Sequence, residues 1–240
     1  MENKSAKDAE FVVSAKNIKL TRRLAAAAAA VRQNAKVADI GCDHGKLCVY
    51  LVQSERCGGA VAADINAKPL EKTRKLVGRY NLENRIETVL CDGLAAIDES
   101  NADDVVIAGL GFDVISKIIS DCGWLKNPNK RLILVPSSKH AKLRAWLYSN
   151  GFEIIAETAV FDAGHCYTVI TARYGGDKRG VSPGFAAVGK IKDTGDDARR
   201  YILKEYNKAK KLSGILKTGA KADEALEVVR YIEKEYAIDD

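Results

Sequence analysis

The chain has little histidine and no paired-cysteine motif. Its three histidines, at 44, 140 and 165, are too scattered to suggest a metal site. The six cysteines (42, 48, 57, 91, 122 and 166) never form CxxC, and their spacing matches no zinc ligand set. Several stand inside apolar runs, where a reduced thiol behaves as a small hydrophobe. Long hydrophobic runs are also missing. The longest, around Leu24 to Val31, is mostly alanine and too short to span a bilayer. The polar first ten residues have no signal-peptide core. These absences lead us to expect a cytoplasmic protein with no membrane association and no metal.

A second absence is local. From Cys122 to Phe152 there is no acidic residue, while Lys126, Lys130, Arg131, Lys139, Lys142 and Arg144 all fall there. From Arg199 to Lys221, eight cations face the single acid Glu205. Lys19, Arg22 and Arg23 form a third cluster. The net charge is only +6, so the clustering says more than the sum. Any one cluster could be a solvated helix face. Three together tilt toward a phosphate backbone as partner.

What is present is an alternation of apolar strands and amphipathic helices in a chain of 240 residues, enough for one well-cored domain and a small appendage. A helix over about Lys19–Arg32 precedes strands at Val37–Ile40, Ala60–Ala63, Ile86–Leu90, Asp104–Ala108 and Arg131–Val135. Helices are expected at Lys46–Ser54, Pro69–Tyr80, Asp113–Asp121 and Ala141–Ser149. Two more strands, Phe152–Thr158 and Tyr167–Thr171, follow with no helix between them. This order predicts an α/β fold with a seven-stranded, mostly parallel sheet that ends in an antiparallel hairpin. Gly175-Gly176 to Pro183-Gly184 reads as a linker. Beyond it, two helical stripes, Ala198 to Leu216 and Ala222 to Tyr236, suggest a C-terminal α-helical hairpin. The expected domains are therefore 1–175 and 185–240.

The chemistry concentrates at strand ends. Asp39-Ile-Gly41-Cys-Asp43-His-Gly45 retains the outer glycines of a nucleotide-binding turn but has Asp43 at the middle position. An acid there repels a diphosphate and suits a cationic cofactor such as S-adenosyl-L-methionine. About 25 residues later, Asp64 ends the second strand, where an acid can accept from ribose hydroxyls. Cys91-Asp92-Gly93-Leu94 offers an acid to an adenine amino group, or a plain Asp-Gly turn. Ala108-Gly109-Leu-Gly111-Phe112 falls where a methyl acceptor would sit, though a strand-to-helix turn competes. Phe112 can stack on a flipped base or fill the core. His44 can touch the cofactor or hold structure by hydrogen bonding.

Several segments occur in a telling order: Lys19-Leu-Thr-Arg-Arg-Leu24, Ala38-Asp-Ile-Gly-Cys-Asp-His-Gly-Lys-Leu47, Cys91-Asp-Gly-Leu94, Ile107-Ala-Gly-Leu-Gly111, Arg131-Leu-Ile-Leu-Val-Pro136 and Leu143-Arg-Ala-Trp-Leu147. Together they resemble the bacterial tRNA (adenine-22-N1)-methyltransferase family over about residues 19 to 175. The resemblance implies a Rossmann-like class I methyltransferase domain that uses S-adenosyl-L-methionine and takes tRNA as its substrate partner. It carries a cofactor role onto Asp39, Gly41, Asp43, His44, Asp64, Asp92, Gly93 and Gly109, and Gly45, Ile65, Leu94 and Ala108 beside them in the same strand-end segments are further candidates. A substrate role falls on Arg23 at the mouth, on Phe112 and Pro136, and on the cations Lys139, Lys142 and Arg144. Two departures from the family pattern lie on the acceptor side. This chain has Ala108-Gly-Leu-Gly-Phe112 for Ala-Gly-Met-Gly-Gly, and Leu134-Val-Pro-Ser137 for Leu-Gln-Pro-Asn. They motivate a competing reading, a paralogue that binds the cofactor or RNA with another acceptor or none. An NAD-dependent oxidoreductase is a further alternative, which Asp43 opposes.

Overall fold

The computed structural model describes residues 18–192, 195–216 and 218–237. The polar lead-in over residues 1–15 lies outside them. Five parallel strands build the sheet: β1 (Val37–Ile40), β2 (Ala60–Asp64), β3 (Ile86–Leu90), β4 (Asp104–Ala108) and β5 (Arg131–Val135). A hairpin of β6 (Phe152–Asp162) and β7 (His165–Tyr174) closes it, with β7 antiparallel to β5. The spatial order is β3-β2-β1-β4-β5-β7-β6, as the strand succession predicts. Both hairpin strands run longer than expected, because their pairing continues past the sheet to Asp162 and His165.

The central strands are apolar on both faces because helices cover both. Every residue of β1 and β2 is buried, whereas the edge strand β3 is mostly half-buried or exposed. One core contains Ile107, Ile115, Leu134, Leu143 and Ile170; the other contains Val31, Leu51, Leu70, Val106 and Ile133. The covering helices are α1 (Arg22–Ala30), α2 (Lys46–Gln53), α3 (Ala67–Arg79), α4 (Phe112–Asp121) and α5 (His140–Ser149). Helix α3 starts two residues before Pro69, so the proline sits inside the first turn, where its missing N–H costs nothing. Arg32, just beyond α1, donates from Nε to Asp104 Oδ1 at 2.7 Å. Asp104 is fully buried at the start of β4, so this pair ties the first helix to the sheet.

The segment expected to be a linker contains a short helix, α6 (Pro183–Val188), capped by Ser182, whose Oγ accepts from Phe185 N. Helices α7 (Asp196–Ile215) and α8 (Ala220–Tyr236) then form the predicted hairpin. Its base is not a free arm. Ala198, Tyr201, Ile202 and Tyr206 of α7 share a third core with Ala187 and Val188 of α6, Ala159 of β6 and Ile232 of α8. Toward the tip, Leu212 and Ile215 are exposed.

At the centre of this third core lies Arg144, which has no exposed surface. Its guanidinium donates to Glu157 Oε1 (2.9 and 2.7 Å), to Ala186 O (2.7 Å) and Ala187 O (2.8 Å), and to Tyr201 Oη (3.0 Å). Burial pulls this guanidinium down, but the Glu157 carboxylate outweighs it and holds the group above its ordinary value. The expectation that Arg144 holds nucleic-acid phosphates is therefore corrected. A cation sealed in this network cannot reach a ligand, and it anchors the C-terminal helices to the sheet.

Candidate functional site

A cleft of about 720 Å³ opens over the carboxyl ends of β1, β2 and β4, with the loop after β3 at one side. This is the usual ligand position in an open α/β sheet. Ten of the residues expected to touch a cofactor line it: Asp39, Gly41, Asp43, His44, Asp64, Ile65, Asp92, Gly93, Ala108 and Gly109. Two do not. Gly45 takes a left-handed conformation (φ 66°) to start α2, and a Cβ added there would collide with the Thr73 side chain. Leu94 is a buried core residue.

The turn after β1 is held by its own hydrogen bonds. Gly41 N and Cys42 N both donate to Ala63 O, at 2.9 and 3.0 Å, and Gly45 N donates to Cys42 O at 2.8 Å. Asp43 N donates to Asp64 Oδ2 at 3.3 Å. A pyrophosphate cradle needs such N–H groups pointing at the ligand. Here those of Gly41, Cys42, Asp43 and Gly45 are committed internally. Asp43 itself has φ 49°, a region that Asp tolerates, and its exposed carboxylate lies 2.6 Å from His44 Nδ1. Lys72 Nζ lies 3.4 Å from the other ring nitrogen of His44. His44 thus has a charged neighbour at each ring nitrogen while still lining the cleft.

Asp64 is fixed by two backbone donors, Asn66 N to Oδ1 at 2.8 Å and Asp43 N to Oδ2 at 3.3 Å. Each oxygen keeps a lone pair for a ligand hydroxyl. Beside it, Ile65 is 61% exposed, an apolar face turned to the cleft where a flat ring can lie. Asp39 is almost wholly buried at the end of β1 and takes a weak bond from Cys48 Sγ at 3.8 Å. Burial pushes its carboxyl up to about 7; the Cys48 bond opposes this and the Asp64 charge adds to it. A cation placed here would favour the ionised form. Gly109, at φ 82°, has open space where a Cβ would project, so a ligand can approach the backbone closely.

The acceptor side divides differently. Arg23 lines the cleft mouth, with its guanidinium 5.0 Å from the centroid of the Tyr167 ring and 3.9 Å from Asp162. Phe112 does not line the cleft; it is half-buried against the core that contains Ile115. The alternative of a base-stacking ring therefore gives way to a packing role. Pro136 is buried and also outside the cleft. Lys139 pairs with Asp113, and Lys142 is exposed; both line a separate cleft next to this one. Lining residues that motif reasoning passed over include Thr21, Leu24, Cys42, Asn66 and Val114. Thr21 and Leu24 belong to the Leu-Thr-Arg-Arg-Leu segment already singled out, so a signal was there. Val114 had none.

The sequence matches the model of a methyltransferase domain over residues 20–170. The chain belongs to this methyltransferase family. It is 33% identical over 158 residues to the tRNA (adenine(22)-N(1))-methyltransferase of Bacillus subtilis, an alignment that spans 66% of either chain. The chain thus spans just under two thirds of the length of that curated relative. The fold superposes on the crystal structure of the B. subtilis m1A22 tRNA methyltransferase TrmK with a TM-score of 0.77 at 26% identity, covering 90% of this chain and 98% of that one. It also superposes on M. capricolum TrmK solved with S-adenosyl-homocysteine, with a TM-score of 0.73 at 27% identity, covering 90% and 96%. The resemblance drawn from the ordered motifs is borne out. Among the described residues, no helix is long and apolar enough to cross a membrane, and no cluster of three or more His, Cys, Asp or Glu could hold a metal ion.

Proposed function

We propose that the chain transfers a methyl group from S-adenosyl-L-methionine to N1 of an adenine in tRNA. The observation that carries the cofactor half is the turn after β1. The N–H groups of Gly41, Cys42, Asp43 and Gly45 are bonded internally, and the turn is surrounded by the carboxylates Asp39, Asp43, Asp64 and Asp92. This donor-poor, acid-rich cleft fits a ligand with an ammonium, a ribose and no phosphate. The likeness to tRNA (adenine(22)-N(1))-methyltransferases supports the acceptor half.

In this reading Asp64 accepts from the ribose hydroxyls, Ile65 supports the adenine ring, and Asp92 accepts from its amino group. Asp39 and Asp43 give the amino-acid end a negative environment. The cofactor supplies an electrophilic methyl group when bound. Adenine N1 carries its own lone pair, so the protein needs to align it in line with that methyl and tolerate the charge moved onto the base. Arg23, held over Tyr167 at the mouth, stands where the incoming nucleotide would pass.

Incubating unmodified tRNA with methyl-labelled cofactor, then mapping the product nucleosides, tests the whole claim. We expect label in 1-methyladenosine at a single position. Label in another base, or none in RNA while S-adenosylhomocysteine still raises the melting temperature, would favour the paralogue with a different acceptor. Stabilisation by NAD alone would overturn the cofactor as well.

A further inference from the structure

Next to the cofactor cleft, along the same edge of the sheet, lies a second cleft of about 780 Å³. It is bounded by the loop from β5 into α5, the start of β7, and α7. Four lysines line it, Lys139 and Lys142 from the start of α5 and Lys204 and Lys208 from α7. The one lining carboxylate is Glu205, already shared between Lys204 (3.9 Å) and Lys208 (3.0 Å). Asp113 of α4 pairs with Lys139. Lys142 has no carboxylate within salt-bridge distance among the described residues. Burial, with the Arg144, Lys204 and Lys208 charges, pushes the lining His140 down to about 3 and keeps its ring neutral.

Two features of the α5 start make little sense for an empty surface. Lys139 occupies the N-cap in a left-handed conformation (φ 57°), no side chain caps the helix, and no acid stands in the first turn. Lys142 then adds a second cation to that turn. Cations at the positive end of a helix dipole are unfavourable by themselves. An anion between them and the α7 lysines would reverse the sign of both effects. The linings of the two clefts also touch. Arg23 lines the cofactor cleft, and its guanidinium stacks on Tyr167, which lines the lysine cleft.

We propose that this second cleft binds a backbone phosphate of the substrate RNA next to the target nucleotide, with Lys142 and Lys208 as its two opposed contacts. The inference rests on the tRNA reading above and deepens it. RNA supported on both α5 and α7 would sit with its neighbouring base at the Arg23 mouth.

The test compares Lys142→Gln/Lys208→Gln with a control that removes two lysines outside both clefts, Lys36 just before β1 and Lys126 in the turn between α4 and β5, as Lys36→Gln/Lys126→Gln. Affinity for unmodified tRNA is measured by filter binding in the presence of S-adenosylhomocysteine at several salt concentrations. We expect the cleft variant to bind about tenfold more weakly, with a log–log salt slope shallower by about 1, while the control stays within about twofold of wild type. Affinity for S-adenosylhomocysteine should not change in either. Wild-type affinity and slope in the cleft variant would overturn the proposal, as would an equal loss in the control. Lysine-dependent stabilisation by millimolar inorganic phosphate with unaltered tRNA binding would also overturn it, by assigning the cleft to a free anion. RNA binding is read independently of turnover. Wild type that binds tRNA through these lysines yet methylates nothing would sink the methyltransferase assignment and leave the cleft standing.

Discussion

Asp39→Asn separates the cost of the site from its use. The carboxyl of Asp39 rises from an ordinary 3.8 to about 7 in the folded protein, chiefly because burial strips its water. Between these two values the native state holds a proton that the unfolded chain has released, so stability falls as pH rises through that window. Above pH 7 the penalty is complete, at roughly 4 kcal/mol. Asparagine keeps the shape and an acceptor for Cys48 but cannot ionise. The variant should therefore gain on wild type as pH increases, by roughly 3 kcal/mol between pH 5 and pH 8. This corresponds to a relative melting-temperature gain on the order of 10 °C. Thermal unfolding of both proteins across that range gives the difference directly, since other titrating groups cancel. The same change should weaken S-adenosylhomocysteine. In wild type its affinity should climb from pH 6 and level off above about pH 8, as Asp39 ionises to meet the ligand ammonium. The variant should bind weakly and without that pH dependence. A stability difference that does not vary with pH would refute the buried-carboxyl argument, and unchanged ligand affinity would remove Asp39 from the site.

Three further outcomes follow from the geometry. Arg144→Met leaves Glu157 charged and sealed in the third core and should cost about 3–5 kcal/mol in urea unfolding. Arg144→Met/Glu157→Met should recover most of that loss, and a double variant no more stable than the single one would show that the two residues are not coupled. Asp64→Asn should weaken S-adenosylhomocysteine about 10- to 100-fold in calorimetry, the size expected for hydrogen bonds to a charged acceptor. A loss below twofold would mean that this carboxylate is not a ligand contact. Gly45→Ala and Gly109→Ala both force alanine to positive φ, but only Gly45 also has Thr73 against it. The first should lower the melting temperature clearly more than the second, and equal losses would point to backbone strain alone.

The site was legible where its residues are contiguous and the fold places them simply. A strand end is a position that apolar runs mark directly, so Asp39, Asp64 and Asp92 could be assigned to one edge before any coordinates. Gly45 and Leu94 sit in the same motifs, yet they serve the helix start and the core. A motif does not say which way each of its side chains faces. The acceptor side was less legible. Phe112 stands at an altered position in the sequence, and only its packing against the main core removes it from the cleft.

Sequence by itself determined the strand and helix order, the sheet type with its terminal hairpin, the acid-rich turn and the family, because periodicity and local motifs carry that information within a few residues. Tertiary structure decided the fate of the cations. Lys142 and Arg144 lie two residues apart in one acid-free stretch and look alike. Helical geometry turns Arg144 inward to Glu157 on β6 and Tyr201 on α7, and leaves Lys142 lining an open cleft together with Lys208. Their partners come from β6 and α7, and distance along the chain holds no trace of that meeting.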